Sequence, residues 1–217
     1  MTATILTVAN QKGGAGKTTV AVHLAGLLGG AGRKTLLVDS DAQATAYRWC
    51  TAGSDFPAAV VQMSGDGGAK LHEQLRRFVG DYEWIIVDTP PAVDSPAAQS
   101  ALLVSDLAIV PVPPSPPDLW ATVHIIQAIR TARVYNVGLR GFILLNQLKA
   151  GTLLGIEIHK ALAGLDLPVL DSALGDREVY RQAAAYGQIA LNQGNAAANV
   201  ELRGLLDELQ RIAQEAT

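Results

Sequence analysis

The chain has almost no cysteine. Cys50 is the single one among 217 residues, which excludes a disulfide framework and any all-cysteine cluster within one chain and suits a cytosolic setting. Charged residues make up 17% and the formal net charge is −3, so there is no global basic excess to hold nucleic acid, and any such contact has to come from a local patch. No stretch reaches the roughly eighteen consecutive apolar residues that a membrane span needs. The first residues read as a strand, with no basic region ahead of an apolar core, so no signal peptide is expected. What is plentiful is apolar residues (49%) and glycine (21 residues), a globular and not a disordered profile. The length suits one α/β domain over residues 1–217 with a sizeable core.

Apolar runs alternate with helical patterns along the chain. Strands are expected at Ile5–Ala9, Thr35–Val38, Ala59–Val61, Trp84–Val87, Leu107–Val112, Gly141–Leu145 and Pro168–Leu170. Helices are expected at Thr18–Gly30, Gly68–Val79, Pro96–Val104, Leu119–Arg133, Leu153–Leu162, Arg177–Tyr186 and Ala196–Ala213. Strands apolar on both faces belong in a buried, mostly parallel sheet of about seven strands, doubly wound with helices on both faces. In such folds ligands sit at the carboxyl ends of the strands.

The run Lys12-Gly13-Gly14-Ala15-Gly16-Lys17-Thr18-Thr19 lies between the first strand and the first helix. That context suits a phosphate-binding loop. Glycines let backbone N–H groups close around phosphate oxygens, and the helix N-terminus adds unpaired donors and a positive dipole end. Lys17 can reach the β- and γ-phosphates, and the Thr18 hydroxyl can ligate Mg²⁺. Two further strand ends carry carboxylates. Asp39 and Asp41 follow Leu36-Leu37-Val38, on the same side of an extended chain. Asp88 follows Trp84-Ile85-Ile86-Val87 and is placed to bind Mg²⁺ through water. Asn146 ends a later strand, where its amide either reads an adenine edge or closes the strand on local backbone.

Glycine is absent from position 11, where the usual G-x-x-x-x-G-K-[ST] pattern would place one; Gln11 stands there and Lys12 follows. K-G-G-A-G-K-T resembles the deviant Walker A box of the ParA/MinD ATPases, P-loop NTPases of the SIMIBI type. The resemblance implies ATP and Mg²⁺ as cofactors. It implies that residues Lys12 to Thr19 bind nucleotide, with Lys12 reaching the nucleotide of the other subunit in an ATP-dependent homodimer. Asp39-Ser40-Asp41-Ala42-Gln43 resembles the family's first switch, although proline usually stands where Ala42 does. There Asp39 would support the metal region beside Thr18 and Asp88, and Asp41 would position the attacking water, so that Lys12, Lys17 and Asp41 form the catalytic set. Asp88-Thr89-Pro90 resembles the second switch, and the family also contacts adenine near Asn146.

Ile109 to Trp120, with its prolines, resembles the interface stretch of the small ParF-like partition proteins; Asp118 is either part of that interface or a plain helix cap. Arg177-x-x-Tyr180 also fits the family. Arg177 and Arg181, one turn apart, are either part of a DNA patch or paired with carboxylates. The final helix is amphipathic but mixed in charge, which favours docking on its own domain over membrane insertion. A guanine box fails at Asn146-Gln147-Leu148-Lys149, and one cysteine cannot bridge a cluster as the nitrogenase iron protein does with two per subunit.

The resemblance thus implies a slow, partner-stimulated ATP hydrolase, cytoplasmic and nucleoid-associated. It would bind DNA nonspecifically and meet a small partner protein linked to cargo, with no membrane involved. Plasmid or chromosome partition is the leading expectation. The alternatives are positioning of a protein cargo such as carboxysomes, a MinD-like membrane-cycling regulator, or a small-molecule ligase on the same fold.

Overall fold

Side chains along the strands alternate between two apolar layers, and that alternation sets the architecture. The computed structural model describes residues 3–92, 95–149, 162 and 165–215. Among the described residues, seven strands form one sheet: β1 (Thr4–Val8), β2 (Thr35–Asp39), β3 (Ala59–Gln62), β4 (Trp84–Asp88), β5 (Leu107–Val112), β6 (Arg140–Leu148) and β7 (Val169–Gly175). Their order is β3-β2-β4-β1-β5-β6-β7, and every pairing is parallel. Leu6, Val8, Leu37, Trp84, Ile86, Leu107, Ile109 and Leu144 face one layer. It is covered by α1 (Lys17–Gly30), α2 (Thr45–Thr51), α6 (Glu178–Ala185) and α7 (Ala196–Gln214). The intervening residues face the other layer: Ile85 and Val87 meet α3 (Leu71–Arg76) and α4 (Pro96–Leu102), and Ala108, Val110 and Ile143 meet α5 (Pro116–Arg133). The fold is therefore the doubly wound α/β arrangement expected, with a sheet that is parallel throughout.

Three local departures have physical causes. The helix expected from Gly68 starts later and ends earlier, at Leu71–Arg76, behind a 3₁₀ turn at Gly65–Gly68. Gly68 sits at φ +77 against Ala97, where a Cβ would come within 2.3 Å of the Ala97 Cβ, so chain reversal and close approach both need glycine there. Pro116 and Pro117, ahead of the helix start expected at Leu119, open α5: proline suits the first helical turn, and the Ser115 hydroxyl accepts the Asp118 N–H. The seven-residue α2 was not expected; its sequence carries Thr, Tyr and Trp, which disfavour helix. It forms because Asp39 accepts the Tyr47 N–H at 2.9 Å and Ala44 takes the left-handed turn ahead of it, at φ +52. β6 and β7 run longer than their apolar cores suggested. The helix expected at 153–162 lies outside the described residues except for Leu162.

The final helix docks on its own domain, with Leu202, Leu205, Leu209 and Ile212 buried. Its acidic residues serve the sheet edge. Glu208 accepts the Asp171 and Ser172 N–H groups at 2.8 and 2.9 Å, and Glu201 accepts that of Gly175 at 3.1 Å. These are the donors that an edge strand would otherwise leave open. Among the described residues no helix is long and apolar enough to cross a membrane.

Candidate functional site

The carboxyl ends of β1, β2 and β4 are neighbours at the centre of the sheet, with Asp88 paired in register between Val8 and Asp39. The loop from Asn10 to Gly16 leaves β1 there and delivers Lys17 to the N-terminus of α1. Gly14 (φ +78) and Gly16 (φ +91) bend it, and a Cβ on Gly16 would fall 2.2 Å from Asn146 Nδ2, so this position has room for glycine alone. Lys17 is buried and donates to the Lys12 carbonyl at 3.1 Å. Burial lowers its pKa, opposed by the Asp88 and Asp41 carboxylates.

Thr18 and Asp88 meet directly: the Thr18 hydroxyl donates to Asp88 Oδ2 at 2.7 Å. Asp88 Oδ1 is buried without a hydrogen-bond partner. Burial pushes the Asp88 pKa up to about 7; the Thr18 hydrogen bond and Lys17 pull it down, and Asp39 and Asp41 push it up. A buried carboxylate with an unused oxygen beside a hydroxyl fits a hard cation such as Mg²⁺, which takes one or two carboxylates and fills its shell with phosphate and water oxygens. A cation caged by protein groups alone is a different matter: among the described residues no three acidic, histidine or cysteine side chains gather to hold one.

Asp39 is also fully buried, and both its oxygens are engaged: Oδ1 accepts the Asp41 N–H at 3.0 Å and Oδ2 that of Tyr47. Burial raises its pKa against those bonds. Asp39 therefore shapes the segment after β2, and Asp41 is left partly exposed, closing a turn by accepting the Gln43 N–H at 2.9 Å. Asn146 is buried and donates to the Ala15 carbonyl at 2.8 Å, so it braces the phosphate loop and not its own strand. Lys12 forms an ion pair of 2.6 Å with buried Asp118 at the start of α5, which also accepts the Ser115 hydroxyl. Trp120 (71% exposed) and Val123 (53% exposed) stand uncovered on the same helix.

Arg177 and Arg181 take the ion-paired alternative. Arg177 binds Glu201, which also accepts the Tyr180 hydroxyl, and Arg181 binds Asp176 at 2.8 Å. A hollow between α4 and α5, lined by Leu103, His124, Gln127 and Tyr135 among others, contains none of the strand-end groups.

Three supporting residues escaped the sequence reading. Asn10 donates to the Pro111 carbonyl at 2.6 Å and accepts the Lys12 N–H, tying the loop to β5. Gln147 donates to the Gly14 carbonyl at 2.8 Å. His23 in α1 is buried between Trp49 and Tyr180; its Nε2 accepts the Ala190 N–H at 3.0 Å, so Nδ1 carries the proton toward the Thr19 carbonyl. A polar residue at a strand end was the signal available for Asn10 and Gln147. His23 left none, because its partners come from three distant segments.

A parallel sheet wound on both faces, with a glycine loop after its first strand and Lys17, Thr18 and Asp88 gathered at its carboxyl edge, defines a P-loop NTPase fold. The chain belongs to the CbiA family, described as the CobQ/CobB/MinD/ParA nucleotide binding domain, whose model matches residues 6–190. It is 31% identical over 210 residues to the maintenance of carboxysome distribution protein A of Halothiobacillus neapolitanus, covering 97% of this chain and 94% of that one. It is 33% identical over 211 residues to the protein of the same name from Gloeobacter kilaueensis, covering 95% and 94%. In structure it resembles the septum site-determining protein MinD of Pyrococcus horikoshii, complexed with Mg-ADP, with a TM-score of 0.80, 22% identity and 99% of both chains covered.

Proposed function

We propose that the chain is a Mg²⁺-dependent ATPase that positions a protein cargo, of which carboxysomes are the leading candidate. The chemical half of this reading is carried by the Thr18–Asp88 pair with its unused carboxylate oxygen, next to buried Lys17. A bound Mg²⁺–ATP supplies the transferable phosphoryl group and the divalent charge. The chain does the rest. Loop N–H groups from Gly13 to Thr19 hold the phosphates, Lys17 offsets charge on the β- and γ-oxygens, and Thr18 and Asp88 hold the metal side with Asp39 supporting them. Asp41, the one partly exposed carboxylate of the three, orients the attacking water. Asn146, bonded through its Nδ2, keeps Oδ1 as an acceptor suited to the adenine amino group.

The positioning half is supported by the two carboxysome distribution relatives, which align over nearly their whole length. They favour a protein cargo over the plasmid or chromosome expected first. Release of Lys12 from Asp118 and pairing of two α5 faces through Trp120 and Val123 would give the nucleotide-dependent dimer, in which Lys12 reaches the partner's nucleotide. Duplex DNA is the proposed surface on which the dimer travels, and a small partner protein its link to cargo and its stimulator of hydrolysis. With Arg177 and Arg181 already paired, the DNA patch falls to other basic residues, and binding should weaken steeply with salt because it rests on phosphate contacts.

The test is deletion in the native host with imaging of a carboxysome shell protein and of replicon inheritance. Clumped shell foci with normal inheritance support the reading; evenly spaced foci with replicon loss return it to partition.

A further inference from the structure

Asn146 and Gln147 are consecutive, and on a regular strand their side chains would point to opposite faces. Here both amides reach the phosphate loop: Asn146 Nδ2 donates to the Ala15 carbonyl and Gln147 Nε2 to the Gly14 carbonyl, each at 2.8 Å. The backbone makes this possible. Gln147 has φ +58, in the left-handed region, and the register of β6 against β7 shifts between Leu145 and Leu148. A non-glycine residue there is strained, and neither neighbour is a glycine that could take up the turn instead.

The two carbonyls held are consecutive in the loop. A planar trans peptide points its C=O and the following N–H in opposite directions. Fixing the Gly14 and Ala15 carbonyls on one side therefore turns the Ala15 and Gly16 N–H groups to the other. Without such a hold the loop is free to flip, because Gly13, Gly14 and Gly16 accept either sign of φ at little cost. A flipped peptide would present a carbonyl oxygen, not an N–H, to a phosphate. The glycines supply the close approach but not the orientation; the amide pair supplies that.

We propose that Gln147 is a positioning residue of the phosphate loop, which acts with Asn146 through the Gly14–Ala15–Gly16 peptides to aim their N–H groups at a nucleoside diphosphate moiety. This rests on the nucleotide reading above and deepens it. Gln147 touches no reacting atom in this role; it fixes the loop that does.

The test compares Gln147→Met, Gln147→Glu and Gln147→Lys with wild type. All keep the same backbone strain, and only lysine retains a donor able to reach the Gly14 carbonyl. Two readouts need no turnover: the dissociation constant for ADP with Mg²⁺, by calorimetry, and amide hydrogen exchange at Ala15 and Gly16 in nucleotide-free protein. Loss of one hydrogen bond should weaken ADP about 5–10-fold in the methionine and glutamate variants and speed exchange at the two amides by a similar factor. Melting temperature should stay within a few degrees, and lysine should restore affinity to within about twofold. Wild-type ADP affinity and wild-type exchange in Gln147→Met overturn the proposal and leave the nucleotide reading standing. Failure of the wild-type protein itself to bind ADP or ATP overturns both.

Discussion

Asp88 is buried with one oxygen bonded by Thr18 and the other unused, and the neighbouring Asp39 and Asp41 raise its pKa further. The site is short of positive charge until a cation arrives. Asp88→Asn should therefore stabilise the nucleotide-free protein, by about 4 kcal/mol above pH 7, while abolishing Mg²⁺-dependent tightening of ATP binding. The sign of its pH dependence follows from the raised pKa, near 7 in the fold against 3.8 unfolded. Between those values the unfolded chain has lost the proton that the folded chain keeps, so wild-type stability falls as pH rises. The gain in Asp88→Asn should be full above pH 7 and shrink toward pH 4, as chemical denaturation of both proteins at several pH values would reveal. A gain unchanged from pH 8 to pH 4 would mean that Asp88 ionises freely in the fold. Lys12 makes a second case at this scale. It is 44% exposed and held by Asp118, so Asp118→Asn should free it, and light scattering with ATP should find the dimer at several-fold lower protein concentration than in wild type.

Helix α7 shows how an element does more than pack. Glu208 reaches from it to the two β7 N–H groups of Asp171 and Ser172, so Glu208→Ala should leave two donors of an edge strand uncovered. About 2 kcal/mol of stability should be lost, with faster amide exchange confined at first to β7; uniform acceleration across the sheet would point to a global effect instead. At this scale the sequence was legible wherever apolar periodicity or a glycine motif spoke. β1, β2, β4 and β5 carry runs apolar on both faces, the loop before α1 carries its glycines and lysine, and Asp39 and Asp88 fall at strand ends. What stayed hidden depends on side chains arriving from far along the chain. Helix α2 needs the Asp39 carboxylate and a left-handed Ala44, neither visible in a propensity. The break before α3 comes from Gly68 packing on Ala97. The bulge that turns Gln147 toward the loop opposes the alternation by which strands are read. Asn146 was placed beside the nucleotide on the family's pattern, but its bond to Ala15, 131 residues away, follows only from the sheet order.

The molecule couples its phosphate loop to its carboxyl-terminal part through His23. This residue lies in the second turn of α1, bonds the Thr19 carbonyl and the Ala190 N–H, and meets the rings of Trp49 and Tyr180, while Trp49 itself donates to the Gln188 carbonyl. Burial lowers its pKa to about 4 from 6.5. The fold needs the neutral ring, so its contribution is complete above pH 6.5 and is lost as pH falls toward 4, amounting to about 3 kcal/mol. This runs against the slope from Asp88 over the same interval, so comparison with His23→Gln isolates it. The stability difference between wild type and that variant should narrow by about 3 kcal/mol from pH 7 to pH 4, and a constant difference would mean that the ring is not held neutral.

In the proposed cycle, ATP held by this loop joins two copies of the chain, and Asp41 ends that state by directing water. Light scattering of Asp41→Ala after size-exclusion chromatography, with Mg²⁺–ATP and with Mg²⁺–ADP, tests it most directly. A mass that doubles with ATP and not with ADP, persisting for as long as ATP is present, is the predicted result. ATP bound at full occupancy by a protein that stays monomeric would contradict it.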